Sequence, residues 1–303
     1  MRSLCIVVFT FFFGSLFSQQ EGDKYRREGE LEKSIQAYKT AFDKDATNSK
    51  NTYNLACAYA LSHQIDNAYH YLLKALKGDS SLWVLADNDL LSLHDDIRWK
   101  TIEANQFDKY QKEKGKLKKP EYARKLLRLI VRDQMFDYHM DMAKQFFVKN
   151  GKAPHWYYPL AFVKKQTAKE NFIKLEKLIK NYGWPTYEDV GKLAADGPLL
   201  VINHHEKEAI RIKYLPRIKE ACVKQQGSCV EFAKIQDRIL VNTGKNQLYG
   251  MQFAYDLNHK LAPLPILEPE YVDKRRAEIG LPPLKDYLKR KINYDFNVKQ
   301  KRK

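Results

Sequence analysis

Apolar and small residues recur along the first third of the chain with a period of 34. Gly22, Tyr25, Tyr38 and Ala41 stand 34 positions before Ala56, Tyr59, Leu72 and Ala75. Within the second copy, Leu55, Ala56 and Tyr59 fall on one helical face, and Ala68, Leu72 and Ala75 on another. A fixed period of this length with two helical stripes per copy predicts stacked helix pairs. Small residues at 56 and 68 would let the two helices of a pair approach closely. Large residues at 59 and 72 would fill the groove between pairs.

The second copy resembles the tetratricopeptide repeat, with its small residue and Tyr on the first helix and small-large-small spacing on the second. The resemblance implies a face for a protein or peptide partner; the alternative is a packing module that buttresses the next domain. Residues 82–102 keep apolar spacing through Leu82, Leu90, Leu91, Leu93, Ile97 and Trp99 but lose the small residues. They read as a degenerate terminal unit with Trp99 as its cap, because an end repeat packs on one side only. The repeat region is therefore set at 20–105.

Between 106 and 120 the chain carries lysines, one Gly and one Pro with little to bury, which predicts a basic linker. A helix follows from Pro120 to Gln134, with Leu126, Leu127 and Ile130 at helical spacing. Further helices are expected at about 168–182, ending at Gly183-Trp184-Pro185, then 187–203, 208–226, 229–240 and 270–278, with a last turn over Leu284–Lys291. Residues 247–255 read as a strand, 256–260 as a turn, and Leu261 opens a second strand. The fold class expected is mostly α: a short helical-repeat stack, then a mainly helical domain over 121–290 with a small β-hairpin.

The N-terminus reads as a secretory signal peptide over residues 1–18. Arg2 is followed by an apolar run from Leu4 to Phe17, then Ser18 and a polar Gln19-Gln20-Glu21. A permanent span takes about 20 apolar residues, so a retained anchor is the lesser alternative. No transmembrane span is expected after cleavage, and the localisation read is periplasmic or secreted. Cys222 and Cys229 flank Gln225-Gln226-Gly227-Ser228 and could form a local disulfide in such a compartment, or remain two free thiols. Cys57 reads as a small core residue.

The formal net charge is +16, concentrated in 109–132 (net +8) and 285–303 (net +6). Residues 291–303 read as a basic tail. The plain reading is a solvated linker and tail; the sharper one is attraction to an anionic envelope surface. No aromatic-and-basic motif accompanies the charge, so no nucleic acid is implied. No glycine-rich phosphate loop or clustered Cys/His spacing occurs, so no cofactor and no metal is expected.

In the back half the order of short motifs is specific. Asp133-Gln134, Gly183-Trp184-Pro185, Val190-Gly191, Asn203-His204, Asp237-Arg238, Gln247-Leu248-Tyr249-Gly250-x-Gln252 and Val272-Asp273-x-Arg275-Arg276-Ala277-x-x-Gly280-Leu281 follow one another over about 126–288. This resembles the bacterial family known as domain of unknown function 6624, which brings no established activity. The chain departs from that pattern at Asp137, where relatives usually carry Arg, at Phe172, where they often carry Thr, and at Met251, where they commonly carry Thr. Each change removes a polar group or alters its charge.

The polar residues of these motifs sit among apolar neighbours and should face inward. In a catalytic reading His204 is the general base, oriented by Asp133 or Asp237. Arg238, Gln134, Asn171, Gln247, Tyr249 and Gln252 would then hold substrate. In a structural reading the same groups form a closed network, with Arg238 paired to Asp133 or Asp237. His205 and His259 read as solvated. Three functions follow: a non-enzymatic interaction or scaffold protein of the envelope, preferred because of the three departures; an envelope hydrolase or transferase; and a binder of anionic surfaces.

Overall fold

A computed structural model describes residues 20–256 and 260–301. The signal-peptide reading over residues 1–18 and His259 lie outside the described residues. The chain is mostly α, about 70% helical, with one small antiparallel hairpin. It divides into two compact units. The first comprises residues up to 116 together with 130–166; the second comprises 117–129 together with 167–303.

In the first unit, α1 (described from residue 20 and ending at 28), α2 (Leu31–Lys44), α3 (Ser49–Leu61) and α4 (Ile65–Ala75) succeed one another through short turns. Helix α3 starts where the Asn48 side chain accepts from the Asn51 amide, a standard N-cap. It buries Leu55 through Ala60 without a break, because α2 and α4 both pack against it. A single amphipathic stripe would not do for a central helix. Gly22 is fixed by packing: a Cβ there would lie 2.5 Å from the Tyr38 ring.

After α4 the expected third helix pair is absent. Two 3-10 turns, Trp83–Ala86 and Asn88–Leu93, precede α5 (Ile97–Lys114). They are bound to the helices by polar contacts: Ser92 donates to the Ala60 oxygen and the Tyr69 hydroxyl to the Leu93 oxygen. Trp99 is buried and stacks on His94. Residues 106–114, read as linker, belong to α5. They are ordered by Gln106, which donates to the oxygens of Asp79 and Ser81, and by Lys109, which donates to that of Leu76.

Helix α6 (Pro120–Gln134) runs from the second unit into the first, where α7 (Asp137–Asn150) follows. Helix α8 (Tyr157–Tyr182) returns to the second unit. It starts well before the expected residue 168, and α7 had no counterpart in the sequence reading.

The second unit continues with α9 (Tyr187–Val190), α10 (Lys192–His204), α11 (Glu208–Val223) and α12 (Cys229–Asn242). Cys222 and Cys229 are joined by a disulfide that links α11 to the start of α12. Strand β1 (Phe253–Tyr255) pairs antiparallel with β2 (Leu261–Pro263), Ala254 opposite Ala262. Residues 247–252, expected to be strand, form a turn instead. Helices α13 (Val272–Glu278) and α14 (Leu284–Ile292) close the unit.

Residues 291–301 are not a solvated tail. Phe296 packs with Val272, Leu284 and Leu288 in a small core, and the Gln300 side chain accepts from the Asp273 amide and donates to the Pro269 oxygen. Among the described residues no helix is long and apolar enough to cross a membrane.

Candidate functional site

Asp237 lies on the inner face of α12 and is completely buried. Its two oxygens accept from the backbone amides of Leu248, Tyr249 and Met251 at 2.7–3.1 Å. Burial pushes its pKa up to about 6, against the pull of those amides and of Arg276. Gln247, also fully buried, works the same turn from within. Its Oε1 accepts from the Gln252 amide, and its Nε2 donates to the oxygens of Gln252 and Leu264.

Gln252 in turn donates to the Lys234 oxygen. Arg276, the largest fully buried side chain, donates to the Tyr249 and Pro282 oxygens and lies over the Tyr287 ring. Gly250 takes the left-handed backbone conformation at φ 73°, and a Cβ there would stand 2.6 Å from Leu284. The Gln-Leu-Tyr-Gly-x-Gln motif is therefore a turn sewn to α12 and α13 by its own main chain.

Among the described residues the donors to the Asp237 carboxylate are backbone amides, while His204, at the end of α10, is exposed. Arg238 differs from both expected pairings. It donates to the main-chain and side-chain oxygens of Asn203, at 2.9 and 3.3 Å. The reason is geometric: successive helical positions point about 100° apart, so Arg238 leaves the face that carries Asp237. Burial and the neighbouring Arg211 lower its pKa, with Glu208 offsetting them.

Arg211 is itself buried, paired to Glu208 and bound to the oxygens of Asn203 and His205. His205 is buried rather than solvated, its ring edge-on to Phe172, and burial lowers its pKa. Asn171 is fully buried on α8; Gln134 and Tyr249 are half-buried. Asp133 is buried on the stretch of α6 that belongs to the first unit, whereas His204, Asp237 and Arg238 belong to the second. The three departures are filled by packing or pairing. Asp137 accepts from Lys164, Phe172 packs on His205 and Tyr214, and Met251 is buried with its sulfur 3.5 Å from Arg276.

An open concavity lies elsewhere, within the first unit. It has a volume of about 420 Å³ and is walled by α1, α2, α3 and the 3-10 segment. Asp23 and Arg26 come from α1, Tyr53 and Cys57 from α3, and Trp83, Asp87 and Asp89 from the 3-10 turns. Tyr53 donates to Asp87 Oδ2 at 2.8 Å, and the Cys57 sulfur is 4.0 Å from the same oxygen. Arg26 bonds to Asp89, and its Nε is buried without an acceptor.

The lining holds four acids, Asp23, Asp79, Asp87 and Asp89, against Arg26 and Lys50. Burial raises the Asp89 pKa to about 6; Arg26 opposes the shift and Asp87 adds to it. Burial and the same two carboxylates hold the Cys57 thiol well above its usual range. Cys57, Asp87 and Asp89 offer donor atoms within 4.8 Å of one another. A metal there would have to deprotonate a disfavoured thiolate and compete with Arg26 and Tyr53 for the carboxylates, so the present hydrogen bonding does not suit one.

Sequence reasoning missed this site. The available signal was Asp87-Asn88-Asp89, polar residues between the apolar runs Val84-Leu85-Ala86 and Leu90-Leu91.

Fold and site together define a mostly helical protein of two units, in which one unit carries an acidic cavity and the other an internally bonded polar motif. Residues 137–301 match the family described as "Family of unknown function (DUF6624)", and the chain belongs to it. The match begins after Asp133-Gln134 and extends through the packed C-terminal segment, so it is shifted from the 126–288 read off the motifs. No curated protein and no solved structure matches the chain.

Proposed function

We propose that this is an exported, non-catalytic interaction protein. Its tetratricopeptide-like first unit receives a cationic segment of a partner, and its family domain acts as a scaffold. The observation that carries the reading is the charge balance of the cavity. In a chain of net charge +16, this one concavity presents four acids against two bases, beside Tyr38, Tyr53 and Trp83. Buried and half-buried carboxylates in excess of their cations favour an incoming positive group, and aromatic faces add to that preference.

Support for the repeat reading comes from burial at the recurring positions. Gly22, Tyr38, Ala41, Ala56, Tyr59, Leu72 and Ala75 are buried and Tyr25 is half-buried. The export reading is supported by the Cys222–Cys229 disulfide, since such bonds persist in oxidising compartments. The non-catalytic reading is supported by Asp237, Gln247 and Gln252, whose bonding groups are used by main chain.

The test is a photocrosslinking residue placed at Trp83, on the cavity wall and more than half exposed, in cells that make and export the protein. A discrete adduct is expected, lost in Asp89→Asn and kept in His204→Ala. An adduct that survives Asp89→Asn but vanishes in His204→Ala would reverse the assignment and return function to the family domain.

A further inference from the structure

We propose that the end of α7 and the start of α8 form a lysine-flanked apolar tip that inserts into the interface of an anionic lipid bilayer. The first half of α7 is held in the unit: Met142 lies against Gly29, and Arg26 sits over the Tyr138 ring. From Lys144 to Lys152 every residue is exposed, among them Phe146, Phe147 and Val148. Across the connection 151–156, α8 begins with Tyr158, Phe162 and Val163, also exposed. Tyr158 is 71% and Val148 66% exposed, levels at which large apolar side chains on a stable surface call for a covering medium.

The arrangement of these side chains selects the medium. Phe146, Phe147 and Val148 are consecutive, so they spread over about 200° of the helix. A protein groove takes one stripe of a helix, at positions i, i+3, i+4 and i+7. Apolar groups on most sides of a helix end suit a medium that surrounds it, as the acyl boundary of a bilayer does. Aromatic rings beside lysines are the usual composition of segments at that depth.

Charge gives the sign of the lipid. Both acids of residues 137–166 are paired, Asp137 with Lys164 and Asp141 with Lys144. Lys149 and Lys152 are left exposed at the tip with no acid beside them in this stretch. Within the segments first suspected of anionic-surface binding, several lysines are paired with acids. Lys118 and Lys119 pair with Glu188 and Asp189, and Lys289 and Lys301 with Asp295 and Glu270.

The experiment is fluorescence of the full chain carrying Phe147→Trp, read as the difference from the parent chain. Vesicles with brominated acyl chains are made from phosphatidylcholine alone or from equal parts phosphatidylcholine and phosphatidylglycerol. The new tryptophan is expected to shift to the blue and be quenched on the mixed vesicles only. Adding Lys149→Glu and Lys152→Glu should reduce partitioning about tenfold or more at low salt. All three positions are exposed, so folding is not at stake.

Absence of quenching at position 147 while the chain still sediments with vesicles would overturn the proposal, since another segment would then be the anchor. Equal quenching on both vesicles would overturn it too, by removing the role of the anionic lipid. A blue shift without lipid that grows with protein concentration would assign the tip to a second copy of the chain instead.

Discussion

Asp196 and Asp237 are both half-hidden or hidden carboxylates whose pKa burial raises to about 6, yet they are held by different sets of donors. Asp196 uses one oxygen, which accepts from the Tyr187 hydroxyl and the Ser228 amide. An asparagine keeps that oxygen and removes the charge. Asp196→Asn is therefore expected to stabilise the protein at pH 7 by about 1–2 kcal/mol, a figure reduced for partial exposure.

The sign of its pH dependence follows from linkage. The folded state binds this proton more tightly than the unfolded chain, so the cost of the charge is absent near pH 4 and complete above pH 6. The advantage of Asp196→Asn over the parent in thermal unfolding should shrink as pH falls from 7 to 4. Asp237 spends both oxygens on three amides, and an asparagine would set its NH₂ against amide donors. Asp237→Asn should cost about 2–4 kcal/mol in denaturant titrations, with the transition midpoint falling accordingly. Stability equal to the parent would show that the turn at 247–252 does not depend on this carboxylate.

Among elements, the helices with a one-sided apolar stripe were legible: α6 and α12 fall within a few residues of the sequence reading. Those that escaped it lack such a stripe for identifiable reasons. The segment 83–93 is apolar at helical spacing, but Asp87 turns inward as the cap of the second 3-10 turn, and the chain folds around it. Helix α7 has no buried face beyond Ala143 over its whole length, so no period was there to be seen. The stretch at 247–252 has alternating apolar residues, yet its amides bond to Asp237 and Gln247 rather than to a neighbouring strand.

The disulfide between α11 and α12 was one of two open readings, because spacing alone does not bring two sulfurs together. It closes a short loop, and its removal should act mainly on the unfolded chain. The Cys222→Ser, Cys229→Ser double variant should lose about 2–3 kcal/mol. Unfolding with and without reductant should agree with that value for the parent and show no difference for the variant.

For the whole molecule, the sequence marks carried composition faithfully and position less so. The residues nominated for chemistry, His204, Asp133, Asp237 and Arg238, were chosen because motifs and inward burial coincide there. In the structure Asp237 holds the turn at 247–252 by its main chain, and Arg238 joins Arg211 around Asn203. The cavity in the first unit draws on α1, α3 and the turns at 83–93, segments some thirty to sixty residues apart, and no local pattern announces such a meeting. Its acids are invisible in a net charge of +16 for the same reason: they are a minority assembled by the fold.

That assembly is the central claim, and equilibrium titration of the full chain with short peptides tests it most directly. A lysine-rich peptide should bind saturably, with affinity that falls as salt rises, and a glutamate-rich peptide of the same length should not. Asp89→Asn should weaken the lysine-rich peptide about tenfold, since each 1.4 kcal/mol of lost attraction is a factor of ten. His204→Ala should leave it unchanged. Equal affinity for both peptides, or binding of the basic one that is indifferent to Asp89→Asn, would contradict the account.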